Sequence, residues 1–184
     1  MNPQLSASFK PGMKVFVPTM SNESALLKQE LKAHPERAQG VDFRAFDAEA
    51  FKEIMDVNLM QPLSYFSTLY RSGKLSNLKQ LVIIGSRFSS PSYIQSKEAS
   101  ALPGYGYCIS KASLALFVQV LRKESFPFSV NLVHPGVMNT VMGSPEGINA
   151  RDMAQKLKSK ILDDSFLHEF NGIYTLPTDE IIPF

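Results

Sequence analysis

The sequence predicts an α/β fold with a small, mainly parallel sheet of about four to five strands, read as one domain over residues 1–184. Three observations carry this reading. The apolar run Val82-Ile83-Ile84 ends in Gly85-Ser86, and a second run, Val130-Asn131-Leu132-Val133-His134, ends in Pro135-Gly136. The long stretch 48–72 repeats its apolar residues at three- and four-residue spacing, and 106–124 is apolar nearly all round. Strands that alternate with helices are joined by crossovers, and crossovers leave neighbouring strands parallel.

In chain order, residues 1–13 hold Pro3, Pro11 and Gly12 with little periodicity and read as an irregular arm. Met13 to Val17 form a short strand stopped by Pro18. Ser21 or Asn22 caps a helix from about Glu23 to Ala33, with Leu26, Leu27 and Leu31 on one face, ended by His34-Pro35. Residues 35–48 are a connector whose Val41, Phe43 and Phe46 are expected to tuck into the core. The helix from Ala48 to Ser72 follows, kinked by Pro62 near Asn58, because the proline ring clashes with the backbone a turn earlier. A kink frees backbone groups, and Asn58 is placed either to bond to them or to take part in chemistry.

Lys79 to Gly85 is a buried strand, and residues 86–104 are a long loop rich in Ser and Pro. The helix from Gly106 to Glu124 is apolar on nearly every side, so every side needs cover: the sheet on one, a second subunit on the other. Ser129 to Val133 is the next strand, residues 136–150 a loop, and Ala150 to Leu162 a mostly polar helix. Gly172 to Leu176 is read as an edge strand, followed by an extended tail with Pro177 and Pro183.

Composition narrows the function classes. Hydrophobic content of 44% and charged content of 20% are those of an ordinary globular protein. A net charge of +2, with Lys156, Lys158 and Lys160 not sharing one helical face, lacks the basic stripe that nucleic acid requires. The single cysteine, Cys108, excludes an internal disulfide and a cysteine zinc cluster, and reads as packing. His34, His134 and His168 show no metal-ligand spacing, and His134 is most simply a strand-end residue. No run approaches the roughly 20 apolar residues of a membrane helix, and no signal peptide is evident. The expectation is a cytoplasmic protein that binds neither membrane nor nucleic acid.

The chemistry centres on Tyr107-Cys108-Ile109-Ser110-Lys111. Tyr and Lys four residues apart share one helix face, and a nearby ammonium eases ionisation of a phenol whose free pKa is about 10. Such a pair handles protons near neutral pH. Ser86 follows one strand end, Pro135-Gly136 another, and Tyr107 begins the helix after the long loop, so all can converge beyond the carboxyl ends of the strands.

These residues resemble the short-chain dehydrogenases/reductases, and within them the C-factor-like carbonyl reductases. Asn58, Ser86, Tyr107 and Lys111 fall where that family keeps its catalytic set, and His134-Pro135-Gly136-Val137-Met138-Asn139-Thr140 resembles its H-P-G-x-V-x-T segment. Asn171 to Tyr174 and Ile181 to Phe184 resemble its C-terminal strand and tail. The resemblance implies a Rossmann-like three-layer fold in which Tyr107 passes a proton to a carbonyl oxygen held by Ser86. It implies that Lys111 depresses the Tyr107 pKa, that Asn58 anchors a water, and that Pro135, Gly136 and Thr140 contact a nicotinamide.

The N-terminal quarter departs from the family. A dinucleotide needs a glycine-rich strand-to-helix turn, which the family writes T-G-x-x-x-G-x-G. Here the first strand runs into Pro18-Thr19-Met20-Ser21-Asn22-Glu23-Ser24-Ala25, which has no glycine. The family's N-N-A-G segment is also missing, and the chain is shorter than the family by roughly one β-α-β-α-β portion. The expectation is therefore a truncated relative with a degenerate cofactor site and no cofactor. It self-associates through helices 48–72 and 106–124 as a non-catalytic assembly or partner-binding module. The alternative is an NAD- or NADP-dependent carbonyl or alcohol oxidoreductase using the intact Asn58-Ser86-Tyr107-Lys111 set with an unconventional or intersubunit cofactor site.

Overall fold

The computed structural model describes residues 15–17, 43–96, 99, 102–139 and 144–184, with residues 15–17 and Ala45 described by backbone alone. The expected arm, the helix over 23–33, the turn over 18–25, Val41 and Thr140 lie outside the described residues. In chain order the elements are β1 (Val15–Val17), a 3₁₀ turn (Phe43–Ala45), α1 (Ala48–Met55), a π-helical turn (Asp56–Met60) and α2 (Gln61–Arg71). Then come β2 (Gln80–Ile84), a 3₁₀ turn (Arg87–Ser89), α3 (Pro91–Gln95), α4 (Tyr105–Arg122) and β3 (Ser129–His134). The rest are β4 (Met138–Asn139), β5 (Ile148–Asn149), α5 (Ala150–Leu162), β6 (Ile173–Thr175) and β7 (Glu180–Ile182).

The main sheet runs β1-β2-β3-β6-β7. The first four strands are parallel and β7 closes the edge antiparallel to β6. Every residue of β2 and β3 is buried. Successive side chains of a strand face opposite sides, which divides the core in two. Leu81, Ile83, Val130, Leu132 and Ile173 pack with Phe66, Leu69, Leu114 and Val118 of α2 and α4. Val82, Ile84, Val133 and Tyr174 pack with Leu157, Met153 and Ile161 of α5. This is the reduced three-layer, Rossmann-like arrangement expected.

Four local expectations change. The strand at Gly172–Leu176 is not an edge, because the tail residues Glu180–Ile182 pair with it after a turn in which Asp179 takes φ +62°. Tyr174 donates its hydroxyl to Asp179, and Lys156 and Lys160 reach the same carboxylate at 3.2 and 3.0 Å, so α5 fixes that turn. The 86–104 loop is partly ordered by its serines. Ser86 accepts from the Phe88 N–H, Ser89 accepts from the Ser86 N–H, and Ser90 caps α3 by accepting from the Tyr93 N–H. The 136–150 loop carries β4 and β5, a short parallel pair.

Phe43 and Phe46 do not enter the core. They are 69% and 40% exposed, stacked on each other, and flank Tyr105 and Phe51 at the start of α4 and in α1. The cause is local: Asp47 caps α1 by accepting from the Glu49 and Ala50 N–H groups, so both rings fall ahead of the helix rather than on its inner face.

A buried polar clamp holds the loop before β6 against the sheet. Asn131 of β3 donates to the carbonyls of Phe166 and His168 and accepts from the Phe170 N–H. Arg122, at the end of α4, donates to the carbonyls of Val130 and Phe170 and pairs with Glu169 at 3.5 Å. All four hydrogen-bonding sites of the Asn131 amide have a partner, Arg122 supplying the last, so its burial leaves no polar debt.

Candidate active site

Pro62 decides where Asn58 points. A proline ring collides with the carbonyl four residues back in an α-helix, here that of Asn58. The chain answers with a π turn over Asp56–Met60, in which the Gln61 N–H reaches the Asp56 carbonyl, five residues back. The extra residue turns Asn58 inward, where it is fully buried. Its amide donates to Ser110 Oγ at 3.1 Å, and Ser110 in turn donates to the Tyr107 carbonyl at 2.8 Å. The expected kink is thus a defined bulge, and it ties Asn58 to the turn of α4 that carries Tyr107 and Lys111. Gly106 lets the helices meet, since a Cβ there would come within 2.9 Å of Ile54 in α1.

On α4, Tyr107 is half-buried and Lys111 is only 2% exposed. The Lys111 ammonium lies 5.6 Å from the centre of the Tyr107 ring. Ser86 ends β2, buried, and its Oγ accepts from the Phe88 N–H, leaving its own proton to donate. The turn that follows packs on α4, with the Phe88 ring edge-to-face on Tyr107 at 6.4 Å. Asn58 thus meets the turn of α4 that Tyr107 and Lys111 share, and Ser86 lies at the end of β2 where the turn after it packs on that helix. A hydroxyl donor and a phenol beside an ammonium can hold a carbonyl oxygen and pass it a proton.

Neighbours complete the picture. Burial pushes the Cys108 thiol up to about 11, so it is an inert packing group. His134 ends β3, as expected, and is held neutral: burial, and then the positive charge of Arg87, lowers its pKa to about 4. Gly136 takes φ +89°, and a Cβ there would sit 2.6 Å from Pro177 Cγ. Sequence reasoning missed Ser110, although its place three residues after Tyr107 and one before Lys111 puts it on their helix turn. It also missed Arg87 and Phe88, for which position directly after Ser86 was the available signal. Among the described residues no group of His, Cys, Asp or Glu could hold a metal ion, and no helix is long and apolar enough to cross a membrane.

No family model and no curated protein sequence matches the chain. Solved structures do match. One, from Burkholderia multivorans and described as a short-chain dehydrogenase/reductase with bound NADP, superposes with a TM-score of 0.63 at 14% identity over 88% of this chain and 74% of the other. A Pseudomonas aeruginosa carbonyl reductase in complex with NADP gives 0.58 at 18% identity over 91% and 75%. The NADPH-bound carbonyl reductase from chicken fatty liver gives 0.53 at 12% identity over 88% and 72%. The fold is that of the short-chain dehydrogenases/reductases.

In the common doubly wound order 3-2-1-4-5-6, the fifth strand is flanked by the fourth and the sixth. Here β2, the strand that delivers Ser86, is flanked by β1 and β3, so β1 stands in the fourth place. Among the described residues no strand lies beyond β1. The first three strands of that order supply the glycine-rich turn and the adenosine side of a dinucleotide site. The described residues thus hold the strands from that fourth place onward.

Between pH 6.5 and about 4 the unfolded chain binds a proton at His134 that the folded chain refuses. Stability is thus full above 6.5 and falls as pH drops through that window, by on the order of 3 kcal/mol. Denaturant midpoints measured across this range should decline in the wild type and decline less in His134→Gln; equal slopes would contradict the assignment.

Proposed function

We propose that the chain is a self-associating, non-catalytic module built on the carbonyl-binding half of the short-chain dehydrogenase fold, without ordinary NAD(P) binding. The observation that carries this is the seat of β1 beside β2, followed in the chain by a segment, Pro18 to Ala25, that has no glycine. Phosphate and adenosine contacts supply much of the energy that positions a nicotinamide ring. A Tyr-Lys pair that lacks them has no source of hydride.

Assembly is supported by the outer face of α4. From Tyr105 to Leu121 its sole charged residue is Lys111, which is buried. Ile109, Leu116 and Val120 are 43%, 66% and 54% exposed and fall on one side with Ser113. An exposed helix face with no charge is the composition of a contact surface, and a two-fold contact would set this stripe against its own copy. On α2, Tyr65 and Tyr70 add apolar area and Arg71 is the first charge.

The second reading, an NAD- or NADP-dependent carbonyl or alcohol oxidoreductase, is favoured by the gathering of Asn58, Ser86, Tyr107 and Lys111 and by the NADP and NADPH bound in similar structures. A buried ammonium is costly to keep where it serves nothing. The two readings separate cleanly in the laboratory.

Sedimentation should find the wild type as a dimer or larger at micromolar concentration, and Leu116→Glu/Val120→Glu as a folded monomer. A monomeric wild type would remove the assembly reading. With NADPH and a panel of aldehydes and ketones, no turnover is expected; turnover that disappears in Tyr107→Phe would establish the second reading instead.

A further inference from the structure

Arg87 sits immediately after Ser86, half-buried, with its guanidinium 5.5 Å from the centre of the Phe88 ring and 5.1 Å from that of Tyr93. Phe88 is the ring that meets Tyr107, so the charge lies one aromatic ring away from the phenol. Among the described residues Arg87 has no carboxylate partner. The ion pairs join Lys52 to Glu49, Arg122 to Glu169, and Lys156 and Lys160 to Asp179. Glu180, opposite Thr175 in register, is exposed.

Three polar atoms without partners among the described residues lie on or beside elements that meet the Arg87 turn. Tyr93 Oη, His134 Nδ1 and Thr175 Oγ1 are buried and accept or donate no hydrogen bond among the described residues. They belong together: His134 and Thr175 are register partners across β3 and β6, β6 touches the Arg87–Ser89 turn, and the Tyr93 ring lies under the guanidinium. Buried polar atoms almost always have partners, and these three, near a cation with no carboxylate partner among the described residues, suit a polar occupant. A guanidinium lying over aromatic rings still carries N–H groups that can hold a carboxylate in bidentate fashion.

We propose that Arg87 makes the Ser86–Tyr107 crevice selective for carbonyl compounds that carry a carboxylate. The carbonyl oxygen meets Ser86 and Tyr107, the carboxylate meets the guanidinium edge, and the aromatic rings of Phe88 and Tyr93 wall the space between. The bland role for Arg87, a cation that merely staples two rings, predicts no preference among ligands. This inference rests on the crevice accepting a carbonyl; it stands or falls apart from self-association and turnover, because its test reads binding alone.

The test is calorimetric titration of phenylglyoxylate and of its neutral methyl ester into the full chain. The acid should bind wild type at least about ten-fold more tightly than the ester. Arg87→Gln should bring the acid down to the ester's affinity and leave the ester unchanged, and Arg87→Lys should keep part of the preference. Arg151→Gln, which removes an exposed charge on α5, should change neither, and thermal melting should show every variant folded. Equal binding of acid and ester, a preference that survives in Arg87→Gln, or no binding of either compound at about 10 mM would overturn the proposal.

Discussion

A buried ammonium sets the terms for the rest of the molecule. Lys111 is almost fully enclosed in a helix that packs directly on the sheet, and enclosing a charge is among the most expensive things a fold can do. Its neighbours are arranged around that fact. The Tyr107 ring offers its negative face at 5.6 Å, and the helix turn they share is gripped from outside by Asn58 through Ser110. The grip needs Asn58 turned inward, which needs the π turn, which Pro62 imposes. One proline in α2 therefore positions a hydroxyl and an ammonium in α4.

The other side of the fold tells a different story. A dinucleotide enzyme divides its sheet into a half that cradles phosphates and a half that handles the substrate. The described sheet contains the second half, bounded by β1 where a fourth strand would stand, and extended at the far edge by β7. Arg122, Asn131 and the Asp179 cluster spend their hydrogen bonds fastening the tail and its preceding loop to that half. Those contacts fasten the C-terminal segment to β3, α4 and α5.

Much of this was legible in the sequence, for particular reasons. Val82-Ile83-Ile84 announced a buried strand and Val130 to Val133 another strand, while the periodicity of 48–72 and the all-round apolarity of 106–124 announced the helices that became α1, α2 and α4. Pro62 announced a kink, since ring and carbonyl clash whatever the surroundings, but its form as a π turn depends on how α2 then packs. Phe43 and Phe46 misled because aromatic composition gives affinity for a core and not a place in it; the Asp47 cap left them outside. β7 was hidden because three residues between a turn and Pro183 become a strand only when β6 is there to pair with. Ser110 and Arg87 act through neighbours that only the fold supplies. The place of β1 could not be read at all, because a strand of three residues carries no mark of its partner.

We propose that the chain keeps the half of the fold that would meet a carbonyl and binds no NAD(P). Calorimetric titration of NADP(H) and NAD(H) into the purified full chain tests it most directly. The account predicts no binding tighter than about 100 μM, roughly −5.5 kcal/mol. A dissociation constant well below that value, for any of these nucleotides, would contradict it.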